Sequence, residues 1–200
     1  GSAKVLIETS YPWEGAVKLV ISETVQRSWE LALRVPAWSE EASVQIGEEV
    51  VDVSGSAGKY ARFKRTWQPG DVVQLNLGLQ PRLIEPNPRI DALRGSLAVA
   101  MGPLMYCFEG PDQPTEGELS DLRIDPGKPL EAAWREDLLG GVMEIKAQGA
   151  VMDMSGWQDT LYRSLTADQP SYQDLALKAI PYYAWANRGP ETMRVWIARR

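Results

Sequence analysis

Short runs that alternate apolar and polar residues recur along almost the whole chain, and no segment carries a helical stripe over ~12 residues or more. Val17, Leu19 and Ile21 share one face, with Lys18 and Ser22 on the other. Trp29, Leu31, Leu33 and Val35 do the same against Glu30, Ala32 and Arg34, until Pro36 ends the run. Ala61, Phe63 and Trp67 form a further face, followed by the turn Gln68-Pro69-Gly70-Asp71 and then by Val73, Leu75 and Leu77. Ile46-Gly47-Glu48-Glu49-Val50 reads as a tight hairpin. Later runs cover Leu97–Met101, Leu104–Phe108, Met143–Ala147, Leu175–Ala179 and Met193–Ile197. Side chains with a period of two fall on opposite faces of a strand, so the chain must fold as layered sheets. The expectation is all-β, with two β-sandwiches.

The organisation changes near residue 102. Before it, strands follow one another closely; from Gly110 to Arg135 the chain is rich in proline, glycine and acids, and Ser155–Gln173 is again poorly periodic. A net charge of −6 argues against nucleic acid as a partner, because phosphate binding needs a basic footprint. The basic run Arg62-Phe63-Lys64-Arg65 reads as the solvent face of a strand. No apolar run approaches the ~18 residues of a membrane-spanning helix, so no membrane partner is expected. Gly1-Ser2 resembles an expression scar, which makes an excised piece of a longer protein the expectation.

The chain has no histidine and a single cysteine, Cys107. A Ser-His-Asp or Cys-His mechanism therefore has no base here, and a zinc site built on histidine and cysteine has too few ligands. Cys107 lies in the apolar run Leu104–Phe108 and reads as a small buried hydrophobe, which fits a reducing compartment; with no signal peptide visible in the sequence, a cytoplasmic setting is the expectation. Carboxylates remain. A glycosidase-type pair needs two of them ~5–10 Å apart, and Glu85, Asp91 and Asp153, near strand ends, are the candidates. Their ordinary reading is as solvated turn residues. Glu116, Glu118, Asp121 and Asp125 could gather a calcium ion, but their spacing matches no EF-hand loop and a solvated acidic loop is the plainer reading.

Aromatic residues offer a second role. Tyr11 with Trp13, Trp157 with Tyr162, and Tyr183 with Trp185 could present ring faces to a sugar, or pack against a neighbouring domain. Trp29 and Trp67 fall on the apolar faces of strands and are core residues.

Several segments resemble glycoside hydrolase family 127, which includes β-L-arabinofuranosidases. Glu8-Thr9-Ser10-Tyr11-Pro12-Trp13-Glu14-Gly15 is similar to the segment that follows the family's catalytic barrel. Leu33–Trp38, Tyr60-Ala61-Arg62 with Arg65–Asp71, and Arg94-Gly95 with Gly102–Cys107 resemble three further family motifs in order. Ile180-Pro181-Tyr182-Tyr183-Ala184-Trp185-Ala186-Asn187-Arg188-Gly189 resembles its ending. The resemblance implies an (α/α)6 barrel followed by two β-sandwiches, the second inserted into the first, whose last strand comes from the C-terminus. Mapped here, sandwich one is 4–101 plus 178–200 and sandwich two is 102–177. The family's cysteine nucleophile and zinc belong to the barrel, whose positions are missing from this chain, and Cys107 inherits no such role. The expected function is a non-catalytic C-terminal accessory region with no cofactor of its own, which braces the barrel, mediates oligomer contacts, or both; the alternative is a module that binds arabinose-containing glycans. Its implied partners are the catalytic barrel, a second copy in a homodimer, or a plant-type, arabinose-containing glycan.

Overall fold

In the computed structural model, which describes residues 1–157, 160–164 and 170–200, the alternating runs become sixteen strands joined by turns and short 3-10 segments. Part of the poorly periodic stretch after Ser155 lies outside the described residues. The all-β expectation holds. Among the described residues, no helix is long and apolar enough to cross a membrane.

Residues Gly1–Gln80 form one compact unit. Its strands are β1 (Lys4–Thr9), β2 (Ala16–Glu23), β3 (Trp29–Arg34), β4 (Ser43–Ile46), β5 (Glu49–Asp52), β6 (Tyr60–Arg65) and β7 (Val72–Asn76). Five of them form an antiparallel sheet in the order β1-β2-β7-β4-β5, while β3 and β6 pair as a separate ribbon. The expected hairpin joins β4 to β5 with Ile46 opposite Glu49, and Gly47 takes the positive φ (62°) that such a two-residue turn requires. Both sheets turn their apolar rows into one core: Leu19, Ile21, Val44, Ile46, Val73 and Leu75 from the first, Leu33 and Ala61 from the ribbon. Trp67 is fully buried among them. Its ring lies 5.7 Å from that of Trp29, and its indole N–H donates to the Trp29 carbonyl at 3.3 Å. The basic face of β6 is solvated, and Arg62 pairs there with Glu30 across the ribbon at 2.5 Å.

Residues Pro81–Arg200 form the second unit. It contains β8 (Pro81–Ile84), β9 (Ser96–Met101), β10 (Leu104–Glu109), β11 (Leu122–Ile124), β12 (Glu131–Arg135), β13 (Val142–Met152), β14 (Tyr172–Pro181), β15 (Met193–Arg194) and β16 (Ile197–Arg199). Pairing runs β10-β14-β13-β11-β16-β9 and returns from β9 to β10, so six strands close a circuit; β8, β12 and β15 attach at its sides. β11 and β16 run parallel. β9 and β10 are buried on both faces, the reason their sequences are nearly continuous apolar runs. On one face of β10, Cys107 packs with Val142, Ile180 and Ala184 under Leu138, Met193 and Val195.

The division differs from the expected one. Residues 81–101 belong with the C-terminal part of the chain, because β8 pairs with β9 and β9 turns through Gly102 to pair with β10. The C-terminal strand β16 lies between β9 and β11, in the second unit. The units are thus consecutive, 1–80 and 81–200, rather than one inserted in the other. The acid-rich stretch Gly110–Arg135 also holds two strands, β11 and β12, that its composition concealed.

Candidate functional site

At the end of β14 the chain leaves the sheet at Pro181 and forms a single 3-10 turn over Tyr182–Ala184. Ala184 points into the Cys107 cluster, which leaves Tyr182 and Tyr183 facing outward; they are 46% and 51% exposed, with Trp185 at 37%. The Tyr182 and Trp185 rings lie 6.4 Å apart. The following residue, Ala186, has a left-handed φ of 60°, a conformation that costs a residue with a side chain about 1–3 kcal/mol. It is tied down by its N–H, which donates to the buried Glu109 carboxylate at 2.7 Å. The Asn187 amide donates to the Ala184 carbonyl at 3.1 Å. Arg188 then reaches back to pair with Glu109 and, through two nitrogens at 2.6 Å each, with Asp112. These acids, Asp112 foremost, hold the guanidinium firmly protonated. The result is a rigid turn that displays three aromatic rings.

A second buried acid, Glu144 on β13, pairs with Arg135 at 2.8 Å, and Arg135 also grips Asp137 with two nitrogens. One oxygen of Glu144 has no hydrogen-bond partner. Neither buried carboxylate was visible as special in the sequence: Glu109 meets an arginine 79 residues away, and Glu144 meets Arg135 of the neighbouring strand β12, a pairing that depends on strand register. Each acid is held in an ion pair with an arginine. Burial pushes the Cys107 thiol up to about 12, and the nearby Glu109 and Asp112 charges act in the same direction. It is a core residue, not a nucleophile.

The expected carboxylates are surface groups. Glu85 is exposed, Asp91 pairs with Arg94 one turn away, and Asp153 accepts the Ser155 N–H at 2.9 Å, which holds its carboxyl below the usual range. In the acidic loop, Asp121 and Asp125 accept N–H groups of Glu118 and Gly127. Among the described residues, no group of three or more acids and cysteines is placed to hold a metal ion.

The other aromatic candidates separate by environment. Tyr11 is half-buried against the first core and stacks on Trp38 at 6.5 Å, and burial raises the pKa of its phenol. Trp13, after the cis Tyr11–Pro12 bond, is 46% exposed. Trp157 carries the Arg163 guanidinium 4.0 Å above its ring, so that face is occupied. Tyr162 is 91% exposed. Tyr60, not singled out in the sequence, is an exposed ring flanked by Arg34 and Arg62 at 5.6 and 5.9 Å.

Two domain families match this chain end to end. Residues 2–79 match "Beta-L-arabinofuranosidase, GH127 middle domain", and residues 81–198 match "Glycoside hydrolase family 127 C-terminal domain". The chain belongs to glycoside hydrolase family 127. The two matches meet where the two compact units divide. The chain is 31% identical over 205 residues to a non-reducing end β-L-arabinofuranosidase of Bifidobacterium longum subsp. longum, covering 96% of this chain and 30% of that protein. The crystal structure of a family 127 β-L-arabinofuranosidase from Geobacillus stearothermophilus T6 superposes with a TM-score of 0.88 at 37% identity, covering 100% of this chain and 31% of that one. A further structure, described as a glycoside hydrolase, superposes with a TM-score of 0.87 at 29% identity, covering 100% of this chain and 33% of that one. The chain therefore spans about a third of the length of these relatives.

Proposed function

We propose that this chain is a non-catalytic accessory region of a β-L-arabinofuranosidase-like glycoside hydrolase, and that it braces a catalytic (α/α)6 barrel lying outside it. The observation that carries this reading is coverage: middle and C-terminal domain matches fill residues 2–79 and 81–198, while the chain accounts for only 30% of the curated relative's length. The site chemistry agrees. Glu109 and Glu144 are both neutralised by arginines, and Cys107 is a buried, protonated thiol. Zinc, implied by the family resemblance, does not fit the donors present: there is no histidine and the one cysteine sits in an apolar cluster. No part of a zinc-dependent step falls on residues of this chain. The test compares activity and melting of the whole enzyme with and without this region. A barrel that is equally stable and active alone would sink the bracing role. Incubated with an arabinofuranoside, the 200-residue chain by itself is expected to release no sugar.

The second reading, a module that binds arabinose-containing glycans, is favoured by one observation: the clamped turn presents Tyr182, Tyr183 and Trp185 as exposed rings. Affinity electrophoresis in arabinan or arabinogalactan decides it. Retardation lost in Trp185→Ala and kept in Trp157→Ala supports it; free migration of the unmodified chain overturns it.

A further inference from the structure

The basic run of β6 has no part in either reading above. Residues opposite one another in an antiparallel ribbon share a side. The register of β3 and β6 therefore sets three rows on the outer face: Glu30 beside Lys64, Ala32 beside Arg62, and Arg34 beside Tyr60. All six are exposed, while Leu31, Leu33, Ala61 and Phe63 turn to the first core. The face carries three cations and one acid, in a chain whose net charge is −6.

The two arginines are held in place around a ring. Arg34 Nη1 donates to the Val35 and Lys59 carbonyls, each at 2.9 Å. Both bonds use one nitrogen, so the rest of the planar fork stays available to a two-pronged partner. Arg62 pairs with Glu30, but both side chains are in water, 59% and 42% exposed, and such a pair exchanges at little cost. The guanidiniums flank Tyr60 at 5.6 and 5.9 Å, and the ring is still 52% exposed. Same-side residues of a strand lie about 7 Å apart, so Tyr60, Arg62 and Lys64 form a line about 14 Å long. That is a track, which suits an extended polymer better than a compact molecule.

We propose that the outer face of the β3–β6 ribbon binds a carboxylate-bearing glycan, with uronate groups paired to Arg34 and Arg62 and a sugar ring against Tyr60. Guanidinium forks match carboxylates in two-pronged geometry, and a tyrosine offers a sugar both an apolar face and a polar tip. Nucleic acid fits poorly, because a net charge of −6 gives phosphates no long-range attraction. An anionic membrane calls for ~4–8 clustered cations, more than this face holds, and beside Tyr60 its one apolar side chain is Ala32. The proposal rests on the reading of the chain as a region of a glycoside hydrolase. It depends neither on bracing of a barrel nor on the aromatic turn of the second unit.

Calorimetric titration of the 200-residue chain with a galacturonate oligosaccharide, beside its uncharged methyl ester, is the experiment. The acid form is expected to bind and the ester to bind at least about 10-fold more weakly. Arg62→Gln and Tyr60→Ala are each expected to weaken binding of the acid form about 10-fold, and Trp185→Ala to leave it unchanged. Arg62 and Tyr60 are both exposed, and unchanged melting temperatures would show that the variants fold. Absence of binding, or equal binding of acid and ester, overturns the proposal. So does equal affinity for polyglutamate, single-stranded DNA or anionic vesicles, since the face would then recognise charge alone. Binding lost in Trp185→Ala and kept in Arg62→Gln would move the glycan to the aromatic turn and overturn it as well. Failure of the bracing test leaves all of these outcomes readable.

Discussion

Arg188 and Glu109 meet across 79 residues of sequence, joining the turn that follows β14 to the end of β10. Glu109 is 2% exposed and Arg188 25%, so the pair is largely removed from water. Asp112 adds a second carboxylate to the same guanidinium, and Glu109 also accepts the Ala186 N–H. One arginine thereby fixes the backbone that displays Tyr182, Tyr183 and Trp185.

Arg188→Ala leaves Glu109 buried without its counter-charge. Breaking such a pair costs about 3–5 kcal/mol, whereas Arg188→Lys retains the charge but loses the two-pronged grip on Asp112 and should fall between. Urea denaturation of the three proteins measures this. Equal midpoints would show that the pair contributes no stability.

Cys107 should be chemically silent in the folded chain. Its side chain is fully buried and its thiol is pushed up to about 12, so almost none is thiolate at pH 8. Iodoacetamide at that pH is expected to modify the native chain at less than roughly 1% of the rate seen in denaturant. Comparable rates would mean that the Cys107 cluster opens readily.

Acid should weaken the fold through specific aspartates. The Arg135 hydrogen bond holds the Asp137 carboxyl below its ordinary value of 3.8. A depressed native pKa contributes stability above the unfolded value, and that contribution is lost as pH falls through the native one. Stability from Asp137 is thus complete above about pH 5 and declines below about pH 4. Asp137→Asn should flatten the acid limb of a melting-temperature profile while leaving its shape above pH 6 unchanged.

Gly149 sits inside β13, where β11 pairs on one side and β14 on the other. A Cβ there would lie 2.3 Å from the Arg123 carbonyl oxygen and 2.6 Å from a Leu177 methyl. Backbone cannot yield as a side chain can, so Gly149→Ala is expected to destabilise by about 1–3 kcal/mol or more. Thermal melting checks it; an unchanged midpoint would mean that β11 can shift away.

Strands whose one face meets a core and whose other meets water were legible from alternation alone, as β2, β3, β6 and β7 illustrate. Trp29 and Trp67 were readable as core residues for the same reason, and the Gly47 hairpin from its local turn chemistry. β11 and β12 were hidden, because they are short and lie in a proline-, glycine- and acid-rich stretch. The sites were less legible than the strands. Trp157 and Tyr183 look alike in sequence, yet one ring is covered by Arg163 and the other is half exposed to solvent. Glu109 and Glu144 gave no signal, since the partner that makes a buried carboxylate tolerable is supplied from elsewhere in the chain.

From the sequence alone this chain was determined to be all-β and to resemble family 127 in its turn-rich motifs, with no histidine and one cysteine along its length. Those properties follow from local period, composition and short spacings, which act over a few residues. Only the tertiary structure decided that the chain divides at Gln80, that β16 enters the second unit, and that Arg188 clamps the aromatic turn. Each of these is a pairing between segments far apart in sequence. Which distant strands and charges meet depends on closure of the whole sheet, and no local pattern encodes that.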